Sequence, residues 1–232
     1  MPPVTPPAMA TGACPVGLFV DEARAYLARW DLNRARRAIS GAAGHWHPTG
    51  FMVFHTGDHF AGRSVRVHAW TATRPAGSAR HPAHHTHMWH LASKVLAGTY
   101  RERTVDMEPD PDGPFLEYRT AYRSITDASL VPSGRRLRIA AERSHSTTAG
   151  DIHWMEAGDW HATRIRPTRI RPDGPVVTVM VTSEPVLPYA SVAGRTPLDE
   201  ERIVRAEVTA DDVEQLISLL AEVERQAAPA PR

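Results

Sequence analysis

The sequence predicts an all-β domain with a helix docked at each end, and three observations carry that prediction. Short runs rich in Val, Thr, Tyr and Phe recur between turn signals through the middle of the chain. Helical periodicity is confined to two stretches near the ends. Strand and helix patterns do not alternate as a parallel α/β sheet would require.

Residues 1–17, rich in Pro, Ala and Gly, read as a loose arm. Phe19, Ala23, Tyr26, Leu27 and Trp30 then fall on one helical stripe, with Asp21 and Glu22 expected at its start, where carboxylates suit the helix dipole. Strands are predicted over 51–54, 64–73, 93–104, 115–125, 136–142, 151–155, 161–166 and 176–182. Breakers separate them at Pro75, Gly77, 109–114, 132–134, Gly150, Gly158 and 172–174. Many short strands at even spacing mean a sandwich or a barrel. Thr209 followed by Asp212 makes a capping-box-like start for a final helix, whose stripe is Val213, Leu216, Ile217, Leu220 and Val223. Residues 227–232 read as a frayed tail. The expectation is one domain over 18–226, with a β core over about 50–207.

At 42% hydrophobic and 23% charged residues, the composition is that of a globular protein with a sizeable core. The formal net charge of +1 provides no overall field for nucleic acid or an anionic membrane. Lys94 is the only lysine, so the many arginines reflect coding bias and not a phosphate-binding surface. A single cysteine, Cys14, excludes an internal disulfide and suits a reducing compartment. The first basic residue is Arg24, so no secretory n-region is expected, and no apolar run is long enough to span a bilayer. A cytoplasmic protein acting on a small molecule is the class left, with a homodimer open.

Thirteen histidines are unevenly placed, five of them between His81 and His90. On a strand, His85 and His87 project to the same face with Cα atoms about 6.6 Å apart, so their imidazoles can converge on one ion. His84 would point the other way. A third ligand is sought over residues 150–164, where His153 lies on a short strand and His161 opens the next.

His85-Thr86-His87, followed by a strand ending at Gly98, resembles the first signature motif of the cupin superfamily, in which HxH precedes a strand closed by glycine. The stretch from Gly150-Asp151 to Gly158-Asp159-Trp160-His161 is similar to the second, PxGxxH. The resemblance covers residues 62–183 and implies a cupin-type jelly-roll β-barrel with a metal held by His85, His87 and His161. Three departures stand out. The glutamate expected shortly after HxH is replaced at Leu91, beside His90; Glu156 stands where the second motif has proline; and the segment from Gly98 to Gly150 is long.

Without that glutamate, three neutral imidazoles leave a divalent ion fully charged with open positions, which favours an anionic chelating substrate. The arrangement resembles three-His cupins with oxygen chemistry, the thiol dioxygenases and diketone-cleaving dioxygenases. That implies a mononuclear non-heme Fe(II) oxygenase, an oxidoreductase of small-molecule biosynthesis. The alternatives are a Zn(II), Ni(II) or Mn(II) enzyme of non-redox type (isomerase, lyase or bond-forming), and a non-catalytic ligand-binding cupin. His153 and His90 are candidates for additional metal ligands. Tyr100 and Glu102 share a strand face and are candidate catalytic groups. Tyr118, Arg119 and Arg123 are candidates for binding the substrate. His45, His47, His55, His59, His68 and His145 lack partner spacing and default to ordinary surface or core positions, and Trp70, Trp89, Trp154 and Trp160 to wall residues.

Overall fold

The computed structural model describes residues 16–71, 82–164, 174–198 and 201–227. Residues 1–15 of the expected arm, Cys14 among them, the tail beyond residue 227 and the breakers at Pro75, Gly77 and Pro172 lie outside the described residues, whereas Val16 and Gly17 open a helix and are not part of a loose arm. Among the described residues two helices, α1 (Val16–Ala28) and α2 (Leu32–Ser40), precede thirteen strands, and α3 (Ala210–Ala227) follows them. The strands are β1 (Gly44–Trp46), β2 (Met52–Phe60), β3 (Arg63–Trp70), β4 (His84–His85), β5 (Leu91–Ala97), β6 (Thr99–Pro109), β7 (Phe115–Tyr122), β8 (Asp127–Thr148), β9 (Ile152–Met155), β10 (Trp160–Arg164), β11 (Val176–Thr182), β12 (Ala190–Gly194) and β13 (Glu201–Val204).

They form two antiparallel sheets. One runs β1-β2-β3-β11-β5-β9 and the other β13-β8-β6-β10-β4-β12-β7. The long β8 pairs with β7 and β13 through its first part and with β6 through its second.

The first sheet is buried on both faces, which explains why β11 reads VVTVMVT with every residue buried. Its outer face is apolar. Met52, Phe54, Val65, Val67, Ala69, Val177, Val179 and Val181 pack against Phe19, Ala23, Leu27, Ile39, Leu216 and Leu220 of the three helices. The alternate residues of β2 and β3, including His55, Arg66, His68 and Trp70, line a cavity on the other face. The helices at the two ends of the chain therefore share one apolar surface, and Arg36 of α2 pairs with Glu224 of α3 at 3.2 Å. Lys94, from β5, closes the carboxyl end of α1 by donating from Nζ to the carbonyls of Trp30 (2.8 Å) and Ala28 (3.3 Å).

Several expectations are corrected here. Three helices layered on one sheet make the fold mixed, dominated by its two sheets and not all-β. The expected first helix begins at Val16, which places Asp21 and Glu22 past its first turn. The helix α2 was not expected. It is capped by Asp31, whose carboxylate accepts the Arg34 N–H at 2.7 Å, and it buries Ala35 and Ile39. The capping box of the last helix does form: the Asp212 carboxylate accepts the Thr209 N–H (2.9 Å) and the Thr209 hydroxyl accepts the Asp212 N–H (3.2 Å).

The expected strand over 93–104 is two strands in different sheets. Gly98 is the corner between them, with φ of +76°. A Cβ there would stand 2.7 Å from the Pro175 carbonyl oxygen and 2.9 Å from the Val176 side chain. Replacing Gly98 with Ala is therefore expected to cost about 2 kcal/mol or more, by combined left-handed strain and backbone collision. Urea unfolding of G98A should show this as a lowered midpoint, and an unshifted midpoint would mean the corner can open.

Candidate metal centre

His85 and His161 are brought together by strand register. They are directly opposed across the β4–β10 pairing, while β6 flanks β10 and opposes His161 with Thr104 and Thr163 with Glu102. The next residues are pinned as well. The Thr86 N–H donates to the Ser191 carbonyl and the Thr86 hydroxyl accepts the Ser191 N–H at 2.9 Å, locking HxH to β12. The His87 carbonyl accepts the N–H of Gly158, the turn glycine (φ of +89°) just before β10. Each histidine is thus fixed through backbone that also fixes another.

One nitrogen from each of His85, His87 and His161 lies within 4.8 Å of those of the other two. His161 Nε2 faces His87 Nε2 at 3.0 Å, within the span that metal–nitrogen bonds of about 2.1 Å can bridge. The opposite nitrogens are tied back. His161 Nδ1 meets Glu102 Oε1 at 2.5 Å, and His85 Nδ1 meets the Ala83 carbonyl oxygen at 3.0 Å. With Nδ1 protonated toward these acceptors, Nε2 carries the lone pair in both rings, the tautomer a metal requires. The residues present therefore fit a divalent transition metal.

Glu102 is 2% exposed and also accepts from the Thr163 hydroxyl at 3.1 Å. Burial alone would raise its pKa. The charge and hydrogen bond of His161 outweigh that, with help from His153 and Thr163, and hold the carboxyl below its ordinary value. His87 is pushed well below the imidazole range by burial, then by His161 and His85, so its lone pair is available at neutral pH.

These side chains line one end of a cavity of about 470 Å³ between the sheets. Tyr100 lies there too. Its hydroxyl is 3.0 Å from His153 Nε2, and burial followed by the Glu102 charge drives the phenol pKa well upward. His153 is lowered to about 4, chiefly by burial, so at neutral pH the tyrosine donates to a neutral imidazole. His153 lies outside the metal-competent group. His90 is outside it as well: its Nδ1 accepts the Ala157 N–H at 3.1 Å, and its ring sits against Phe19. His84 packs edge-on to Phe115, away from the cavity lining.

Other expected substrate contacts fall elsewhere. Tyr118 is buried, and its hydroxyl accepts the Leu198 N–H at 2.8 Å. Arg119 is exposed, over the Tyr189 ring. Neither lines the cavity, and neither does Arg123. Of the expected wall tryptophans, Trp70 and Trp89 line the cavity, Trp160 packs near Phe115, and Trp154 is 42% exposed.

The cavity instead contains residues to which sequence reasoning gave no role. These are His45, His47, His55 and His68, with Arg63, Arg66 and Arg205. Alternation on β2 and β3 was the available signal, since 53 and 55, and 66, 68 and 70, share faces.

No family model and no curated protein matches the chain. Among solved structures, one that matches is the crystal structure of Drosophila melanogaster CENP-C bound to CAL1, at 11% identity, over 71% of this chain and 99% of that one, with a TM-score of 0.31. A TM-score of that size assigns neither fold nor function.

Two measurements test the site. In calorimetric titration with Co(II), H87A should lose stoichiometric binding, E102Q should bind roughly 10- to 100-fold more weakly, and H84A should match the parent; full binding by H87A would exclude the centre. The second is acid lability. Burial lowers His45 and His68 to about 3 and His153 to about 4. Below pH 6.5 the unfolded chain takes up protons that the folded protein refuses, so stability falls as pH drops toward those values. The slope is about 1.4 kcal/mol per pH unit for each histidine. Urea midpoints at pH 7 and pH 5 should differ accordingly, and equal midpoints would contradict the buried neutral rings.

Proposed function

We propose that the chain is a metal-dependent enzyme of cupin-type jelly-roll architecture, a mononuclear non-heme Fe(II) oxygenase acting on a small anionic, chelating molecule. The observation that carries this reading is the convergence of His85, His87 and His161 in the lining of one cavity, with Glu102 bonded behind His161. Three neutral donors leave the charge of a divalent ion uncompensated, which favours a substrate bringing its own carboxylate beside a hydroxyl, keto, amine or thiol group.

When bound, Fe(II) would supply dioxygen activation and electron transfer to or from the chelated acid. The chain supplies the surroundings. His85 and His161 are held in the ligand tautomer by the Ala83 carbonyl and the Glu102 carboxylate. Trp70, Met88 and Trp89 line the cavity with apolar surface and limit water near the reacting groups. Tyr100, protonated at neutral pH, has one hydroxyl hydrogen, which it gives to His153 and can turn instead to an oxygen of the substrate.

That tyrosine–histidine pair also favours a second reading. A phenol and a neutral imidazole in one cavity are the parts of a proton relay, which suits a Zn(II), Ni(II) or Mn(II) enzyme catalysing isomerisation or elimination.

Metal content after anaerobic purification, followed by oxygen-electrode assays, separates these readings. The Fe(II)-loaded protein should consume dioxygen with at least one member of a panel of α-hydroxy, α-keto and thiol carboxylic acids, and H87A should not. Turnover of the same acids under argon with Zn(II) would replace the oxygenase with the second reading. Metal binding without turnover in either atmosphere would leave a ligand-binding protein.

A further inference from the structure

We infer that the cavity has a second anchoring pole, built from Arg66, Arg205 and the paired rings of His45 and His55, which holds a carboxylate or similar small oxyanion of the substrate away from the three histidines. The placement of the other end of that molecule rests on the metal reading above; the pole itself rests on separate residues.

The charge balance of the cavity points this way. Arg63, Arg66 and Arg205 all line it. Arg63 has a counter-ion, Glu184, at 2.9 Å. Among the described residues no carboxylate pairs with Arg66 or Arg205. Arg66 is held over the Trp89 ring at 5.1 Å, a contact that orients the guanidinium plane but uses none of its N–H groups. Arg205 donates from Nη1 to the Ile125 carbonyl and is held against Tyr122, whose ring it overlies at 5.8 Å, while its Nε is buried with no hydrogen-bond partner. His55 Nε2 is likewise buried with no hydrogen-bond partner. Two unsatisfied nitrogens and two guanidinium groups without a described carboxylate counter-ion in one cavity are what an oxyanion would satisfy.

A second cation is the competing occupant, since the His45 and His55 rings stand 5.3 Å apart. The electrostatics argue against it. Both arginines depress these two imidazoles, and burial together with Arg63 and Arg205 lowers Arg66 to about 10, still cationic at neutral pH. A metal ion there would face two guanidinium charges. The neutral rings can instead donate N–H groups beside the arginines.

The poles are close enough for one small molecule. From the His87 ring it is 6.0 Å to the Trp89 ring, and from there 5.1 Å to the Arg66 guanidinium. A short dicarboxylic acid, or an acid bearing a phosphate or sulfate group, has suitable chemistry.

The test uses succinate, glutarate, adipate and inorganic phosphate as probes, titrated calorimetrically into metal-free full-length protein. At least one should bind with salt-sensitive affinity, and Arg66→Met should weaken it by about 10-fold or more, as expected for loss of a charge-assisted hydrogen-bond pair. H87A should retain this binding while losing Co(II). Should the Arg66 variant not fold, Arg205→Gln reads the same pole. Failure of every probe to bind, or full affinity in a folded R66M or R205Q, overturns the proposal. The visible spectrum of the Co(II)-loaded protein then separates the two claims. A bound diacid that leaves that spectrum unmoved, yet still depends on Arg66, removes the metal end and keeps the anion pole. Co(II) binding with no arginine-dependent anion does the reverse.

Discussion

The site depends on a strand of two residues. β4 is only His84–His85, yet it is paired on both sides, with β10 through His85 opposite His161 and with β12 through Val192 and Ala193. A one-residue slip would turn His84 inward and carry His85 to the Phe115 side. What prevents it is the doubled Thr86–Ser191 bond immediately after the strand. The Gly158–His87 bond then ties the loop beyond HxH to the turn that introduces His161. The three imidazoles are thus positioned by backbone hydrogen bonds and not by side-chain packing alone, which is the preorganisation that a metal or a reacting group needs.

Around that constraint the first sheet separates two environments. Its outer face collects the apolar side chains of α1, α2 and α3, and its inner face carries histidines and arginines. Burying so many titratable groups is tolerable because most of the imidazoles are neutral, and because Glu102, the buried carboxylate beside the three histidines, is bonded to His161 and Thr163. The cavity is consequently polarised. Glu102 is at the end with the three histidines, while Arg66 and Arg205 carry positive charge that no described carboxylate offsets. A ligand entering it meets a directional field as well as a shape.

Much of this was legible in the sequence, for identifiable reasons. β11 was legible to the residue because a seven-residue run of Val, Met and Thr between breakers has few other readings. Strand alternation predicted that His85 and His87 converge; they do, although β4 ends at His85 and His87 is placed by the loop beyond it. Other features depended on partners that periodicity does not see. Ala190-Ser191-Val192-Ala193-Gly194 has weak strand propensity and becomes β12 only by pairing with β4 and β7. Gly98 lies in a continuous strand pattern and reveals itself as a corner only against Pro175. The alternation of 53 with 55 and of 66 with 68 and 70 was visible, but which face of that sheet met the helices was not. His45, His55, His68 and Arg66 therefore seemed ordinary. Tyr118 and Arg119 fall outside the cavity for a related reason: their strand, β7, lies beyond β12 from the three histidines, and only its last residue, Tyr122, reaches the lining.

Two residues of one strand set the proton chemistry that is available. Tyr100 and Glu102 are two apart on β6 and both face the cavity. Glu102 is committed to His161, and its negative charge in turn raises the Tyr100 phenol above the value that burial alone would give. The tyrosine is thereby kept as a hydrogen-bond donor and denied the role of base. His153, with a pKa near 4, accepts from it without becoming protonated at neutral pH. The cavity therefore offers a hydrogen-bond donor at Tyr100 that does not readily give up its proton, and only a weak base beside it. Strong proton abstraction would need help from a metal-bound group or from the substrate itself.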